Sequence, residues 1–175
     1  MKPEKEISYY YNIDSLMTAQ KNLLIARGAV IHKSAIVAGD TATSTIEPDS
    51  AVWDKEFKIF ENININKPTL RGVYTQKDYQ DSKSNLKIRS YSTNNEDVEI
   101  KYLKIYYLDD ISNIKKVEAK YEEDNPVYHS ARLLRFTFDD IKKEPVLTHY
   151  QIIGDQKTIL RDPVKIKINS KVAIR

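Results

Sequence analysis

The feature that most constrains this chain is the stretch from Leu86 to Phe138, where NLKIRSYST, IKYLKIYYL, IKKVEAKYEE and YHSARLLRFTF follow one another. All four segments are rich in β-branched and aromatic residues, and the turn-forming DDISN and EDNP separate the later ones. Such a succession predicts an antiparallel meander. With a turn centred on Asp110 to Ser112, antiparallel pairing sets Ile105 opposite Val117 and Leu103 opposite Ala119 on one face. The other face then pairs Lys104 with Glu118 and Tyr102 with Lys120. One side is apolar and the other charged, which is what a sheet with one face on a core and one in water requires. In the following segment Ala131 and Leu133 share one face while Leu134, Phe136 and Phe138 share the other. A β-bulge near Leu133–Leu134 is expected to gather the apolar set on one side and bend the sheet.

Around this core the chain reads as one domain with a polar lead over residues 1–12, a helix over 13–27, a hairpin over 29–47, a helix over 49–62, a loop over 69–85 and the meander over 86–168. The first helix carries Leu16, Ala19, Leu23 and Ala26 on one stripe, with Met17, Gln20 and Leu24 beside it. Asn12 or Asp14 is its expected N-cap, and Gly28 stands where a left-handed C-cap belongs. In the hairpin, Gly39–Asp40 is expected to supply the turn, and the threonine-rich second strand suits an edge, with Lys33 discouraging edge-to-edge pairing. Pro48, Asp49 and Ser50 announce the second helix, on which Trp53, Phe57 and Phe60 recur at helical spacing; Pro68 blocks its continuation. After Pro145, VLTHYQII reads as a strand, Gly154–Asp155 as a turn, and VKIKI as a strand with Val164, Ile166 and Ile168 facing in and Lys165 and Lys167 facing out. The fold class is α+β: a largely antiparallel, curved sheet of about eight strands, meander or half-open barrel, covered by two helices.

Composition narrows the function classes. The 28 basic and 25 acidic side chains give a net charge of +3, are interspersed along the chain and form no block of one sign. That pattern is weak support for a nucleic-acid partner, and none is expected. Twelve tyrosines suit a β-rich fold with many half-exposed positions. There is no cysteine, so disulfides, thiolate metal sites and cysteine nucleophiles are excluded. No apolar run reaches the ~18 residues of a membrane-spanning helix, and MKPEKEIS is no signal peptide.

No catalytic or cofactor motif stands out, and neither cofactor nor metal is expected. His32, His129 and His149 are the only imidazoles. In the hairpin around 139–145, His149 is expected opposite Arg135, about 20 Å along the strand from His129, with His32 on a distant segment. The acidic pairs Asp109–Asp110, Glu122–Glu123–Asp124 and Asp139–Asp140 are expected at turns, where carboxylates bond nearby amides, and none has the central glycine of a calcium loop. Four glycines leave no room for a phosphate-cradling loop or a dinucleotide fingerprint. Tyr9, Tyr10 and Tyr11 are either an exposed aromatic patch or a segment docking the first helix, the second being favoured. Arg71 is a surface arginine with a minor alternative role as an anion contact.

The opening helix, the Thr-rich hairpin, DSAVWDKEFKIFENININKP, YLKIYYLDD and the final DPVKIKI together resemble the mature part of uncharacterised exported proteins or lipoproteins of Gram-negative bacteria. That resemblance implies a periplasmic or outer-membrane-anchored setting, with membrane association only through a removed lipid anchor; without export the setting is cytoplasmic. A half-open barrel around a helix would also resemble the lipoprotein-carrier fold. The reading that follows is a non-enzymatic binding or structural domain, holding an apolar small molecule between sheet and helix or meeting an envelope protein. A ligand site would involve Trp53, Phe57 and Phe60, with Tyr74 or Tyr79 from the 69–85 loop at its mouth, although aromatic stripes more often serve the core. The alternatives are a small hydrolase on an antiparallel sheet, marked by His129 or His149 clustered with acids in a pocket, and a weak nucleic-acid binder using exposed Tyr and Lys.

Overall fold

A computed structural model describes residues 8–175. The described chain runs α1 (Ile13–Ala26), β1 (Val30–Val37), β2 (Asp40–Ile46), α2 (Ser50–Glu61), a short 3-10 turn (Pro68–Leu70), β3 (Thr75–Gln80), β4 (Lys87–Ser92), β5 (Ile100–Tyr107), β6 (Ile114–Asn125), β7 (Tyr128–Ile141), β8 (Glu144–Thr158) and β9 (Val164–Ala173). All nine strands join one open antiparallel sheet in the order β2-β1-β9-β8-β7-β6-β5-β4-β3. From β3 to β9 each strand pairs with its successor, and the β1–β2 hairpin adds onto β9.

The β5–β6 register matches the alternation in the sequence residue by residue: Ile105 faces Val117, Leu103 faces Ala119, Lys104 faces Glu118 and Tyr102 faces Lys120. The expected bulge at Leu133–Leu134 is absent, since β6 and β7 pair there without interruption. Leu134, Phe136 and Phe138 are buried toward the helices, while Ala131 and Leu133 are half-buried on the opposite face. The irregularity lies between Thr137 and Phe138, where Thr137 faces His149 and Phe138 faces Leu147, leaving Thr148 as the extra residue. That bulge and a turn on Lys142–Lys143 each shift the hairpin by one residue, so Arg135 faces Gln151 rather than His149.

Gly154 forms no turn; β8 runs through it to Thr158. A Cβ there would lie 2.4 Å from the carbonyl oxygen of Ala131 on β7, so the glycine answers a close approach of neighbouring backbones. Glu122–Glu123–Asp124 and Asp139–Asp140 also lie within strands; only Asp109–Asp110 sits in a turn, where Asp110 Oδ1 accepts from the Ser112 amide at 2.9 Å. The stretch 69–85 is not one long loop. It contains β3, a fully exposed edge strand whose polar TQKDYQ shows no apolar alternation, and this accounts for the ninth strand. The β1–β2 turn falls one residue earlier than expected, on Ala38 and Gly39, both at positive φ.

Both helices cover one face. On α1, Asn12 accepts from the Ser15 amide, and beyond Arg27 the amides of Gly28 and Ala29 return to Ile25 and Leu24 with Gly28 at φ 56°, closing the helix as a Schellman motif. The stripe it buries is Ile13, Met17, Gln20 and Leu24; Leu16 and Leu23 are half-buried and Ala19 and Ala26 exposed. Asp49 caps α2 by accepting from the Val52 amide, and Trp53, Phe57 and Phe60 point into the core. Phe60 meets the Phe136 ring at 4.1 Å between centroids and Tyr150 at 6.0 Å. At about 1.5–3 kcal/mol for each large side chain taken from water, this layer dominates the stability.

The tyrosine lead docks rather than standing free. Asn66 Oδ1 accepts from the amides of Tyr9 and Tyr10, Tyr10 donates its hydroxyl to the Leu70 carbonyl at 2.8 Å, and the Tyr91 hydroxyl accepts from the Tyr11 amide. Residues 1–7 of the expected polar lead lie outside the described residues. Among the described residues, no helix is long and apolar enough to cross a membrane.

Candidate binding face

Strand alternation sorts the charges that look scattered in the sequence. Following the ladders, the face away from the helices carries a row running from Lys77 through Ser90, Lys104, Glu118 and Arg135 to Gln151. A neighbouring row joins Tyr79, Tyr106, Lys116, His149, Lys171 and His32 through Ile88 and Thr137. On the other flank Tyr102, Lys120, Leu133, Ile153 and Lys167 align. Lys157 and Lys165 extend the same face toward the strand ends. The carboxylates sharing it are Glu118, Glu122, Asp124, Asp139 and Asp155, with Asp81 just beyond β3 close enough to act on Lys116 and Tyr106. Among the described residues no helix lies on this side, so it is an open surface on which lysines outnumber carboxylates.

The acids here are largely committed to local partners. Glu118, almost buried, accepts from the Tyr102 hydroxyl at 3.0 Å and from Arg135 Nε at 2.9 Å. Glu122 pairs with Lys120 Nζ at 2.6 Å, and that hydrogen bond holds its carboxyl below the usual range. Lys77, Lys104, Lys116, Lys157, Lys165, Lys167 and Lys171 make no ion pair with the described residues. Two of them lie over rings: Lys104 Nζ is 4.8 Å from the Tyr102 centroid and Lys116 Nζ 3.8 Å from that of Tyr106. The tyrosines thereby splay the ammonium groups across the surface and keep their aliphatic stems packed. Burial, with the Glu118 carboxylate next to it, pushes the Tyr106 hydroxyl up to about 12, and the same two causes raise Tyr102. These phenols stay neutral and add no charge of their own at ordinary pH.

The sequence-derived ligand residues fall in three places. Trp53, Phe57 and Phe60 sit together on α2; Trp53 is 0% and Phe60 2% exposed, and their rings fill the space between helix and sheet. A groove of about 540 Å³ runs alongside between the helices, where Phe57, Phe60 and Met17 meet Asp14, Lys21 and Lys67. Tyr74 is buried in another ring cluster with Tyr10 and donates to the Ile100 carbonyl at 2.7 Å. Tyr79 stands exposed on the opposite face, on β3. Arg71 covers the Tyr9 ring at 5.0 Å.

The histidines act separately. His149 Nε2 meets Asn169 Oδ1, His32 Nδ1 lies 3.1 Å from Thr45 Oγ1, and His129 Nδ1 lies 3.6 Å from Asp124. His32 is closer to His149 than its place in the chain implies, because β1 and β8 flank β9 and both residues face Lys171. His129 does border a depression with Glu96, Asp97, Glu99, Glu122 and Asp124 at the end of the sheet. The side chains of His129 and Asp124 are 46% and 78% exposed, so the pair stands open to solvent rather than in an enclosed pocket. Among the described residues no group of three or more His, Asp or Glu is placed to hold a metal ion. The chain matches no protein-family model, no curated protein and no solved structure.

What sequence reading missed is the size of this basic face. Its signal was present in IKYLKIYY, IKKVEAK and VKIKINSK, whose lysines alternate with the buried residues. Carrying that alternation from strand to strand, rather than scanning for runs, would have brought them together.

Proposed function

We propose that this is a non-enzymatic binding domain whose working surface is the uncovered sheet face, and that it holds a polyanionic partner there. The observation that carries the reading is the set of lysines on that face that form no ion pair among the described residues, two of them braced on tyrosine rings. A lysine at an anionic surface contributes about 1 kcal/mol, so several acting together give useful affinity without any pocket. Such attraction weakens as salt shortens the screening length to about 8 Å near physiological ionic strength. The exported, envelope-associated setting expected from the sequence belongs to the same proposal.

The test compares two charge-matched variants on immobilised heparin. Lys104→Glu, Lys116→Glu and Lys171→Glu alter the proposed face, while Lys55→Glu, Lys58→Glu and Lys67→Glu change net charge equally on the helical side. The first set is expected to elute at much lower salt than the second. Equal elution would mean that net charge alone, rather than this face, governs binding.

A second reading, an apolar ligand, is favoured by the groove beside Phe57 and Phe60. The groove, rather than the filled helix–sheet interface, would be its seat. Native mass spectrometry supports it through a co-purified small molecule that a Phe57→Ala variant no longer carries.

A further inference from the structure

The exposed aliphatic side chains are not spread evenly. Of the seven large apolar residues exposed among the described residues, Ile36, Val37, Val127, Ile159 and Leu160 lie toward one end of the sheet. Leu160 is 93% exposed, Ile159 64% and Val127 62%. Topology gathers them: β7 and β8 are neighbours, Tyr128 faces Thr158, and the Ile159 amide donates to the Val127 carbonyl at 3.3 Å. The β1–β2 turn closes against the same end through the Ala38 amide, which donates to the Lys165 carbonyl at 3.1 Å.

Resting on the polyanion reading, we propose that the partner is an anionic lipid bilayer, with the Val127 and Ile159–Leu160 loops entering the headgroup region and the lysine face lying toward the lipid phosphates. A nucleic acid would have no use for an aliphatic tip, and the Tyr102 and Tyr106 rings it could stack on are already covered by lysines. A bilayer uses both features, burying aliphatic side chains at its acyl boundary and attracting ammonium groups to its surface. Lys157, Arg161 and Lys165 flank the Ile159–Leu160 loop, with Asp155 and Asp162 close by, whereas the Val127 hairpin stands beside Glu122, Glu123 and Asp124, so the attraction comes from the wider lysine face rather than from the tip. The β4–β5 loop, with Glu96, Asp97 and Glu99, adjoins Glu122 and Asp124 on the β6 side of the Val127 hairpin, where the Glu122 amide donates to the Glu99 carbonyl at 2.8 Å, and this acidic flank tilts the contact toward Ile159–Leu160, β8, β9 and β1. This contact needs no lipid anchor.

Co-sedimentation with vesicles tests it, using phosphatidylcholine alone or mixed with phosphatidylglycerol, and heparin binding measured in parallel. The chain is expected to sediment with the mixed vesicles and not with phosphatidylcholine alone. Ile159→Ser with Leu160→Ser, at exposed loop positions, is expected to weaken vesicle binding by roughly tenfold or more while leaving heparin binding unchanged. Heparin binding without vesicle binding, or a tip variant that sediments like the parent, overturns the bilayer proposal and leaves the basic face standing. Binding to neither overturns both.

Discussion

Arg135 and Glu118 lie directly opposite each other on β7 and β6, with Arg135 Nε donating to Glu118 Oε2 at 2.9 Å in the middle of the lysine-rich surface. The carboxylate also receives the Tyr102 hydroxyl, so it organises two neighbours while lowering the positive field around it. Glu118→Gln keeps the shape, removes the charge and is expected to cost about 1–2 kcal/mol, because Arg135 is partly exposed and can be rehydrated. The same substitution is expected to tighten heparin binding. Denaturant melts and salt-dependent elution of one variant check both; weaker heparin binding would show that Glu118 shapes the surface rather than restraining its charge.

Gln20 plays the corresponding part in the core. Its Oε1 accepts from the Leu147 amide at 2.8 Å and its Nε2 donates to the Pro145 carbonyl at 2.8 Å, fastening α1 to β8 beside the bulge. Gln20→Leu leaves both backbone groups without this partner in a site closed to water, and a loss of about 1–3 kcal/mol is expected by urea denaturation. Heparin binding by the folded variant should be unaltered.

Trp53→Ala is expected to cost about 3–5 kcal/mol, since the ring is fully buried between α2 and the sheet. A thermal shift of only a degree or two would contradict the close packing of Trp53 between α2 and the sheet.

Several tyrosines resist ionisation, which fixes the alkaline behaviour. Burial is the first cause for Tyr74, Tyr102, Tyr121 and Tyr150, and all are raised above the ordinary 10.0. A group that holds its proton more tightly when folded contributes stability fully present below pH 10, and that contribution is lost as pH rises toward the folded value. Stability is therefore expected to fall above about pH 10, with tyrosinate absorbance rising in two stages, exposed phenols first and buried ones together with unfolding. A single titration near pH 10 in the folded protein would contradict this arrangement.

Much of the fold was legible because its strands alternate cleanly. Ile105 against Val117 and Lys104 against Glu118 follow from period two and a turn at Asp110 alone. The cap at Asn12, the glycine stop at Gly28 and the buried Trp53, Phe57 and Phe60 were equally readable, because local hydrogen bonding and helical spacing determine them. Three features were not. β3 is an edge strand with no buried face, so its residues carry no hydrophobic signal. Gly154 reads as a turn in sequence, whereas its cause is a neighbouring backbone that only tertiary structure brings near. The bulge at Thr148 belongs with the Gln20 clasp from a helix more than a hundred residues earlier. The basic face lay between these cases: the outward direction of Lys165 and Lys167 was readable, but their alignment with Lys104 and Lys116 depends on strand order.

The central claim is that the lysine-rich sheet face, and not the helical side, is the binding surface. Backbone amide NMR of the chain titrated with a short heparin oligosaccharide tests it most directly. The account predicts shift changes concentrated on β5 to β9, strongest near Lys104, Lys116, Lys167 and Lys171, and suppressed by added salt. Changes confined to α1, α2 and the groove beside Phe57 and Phe60 would contradict it.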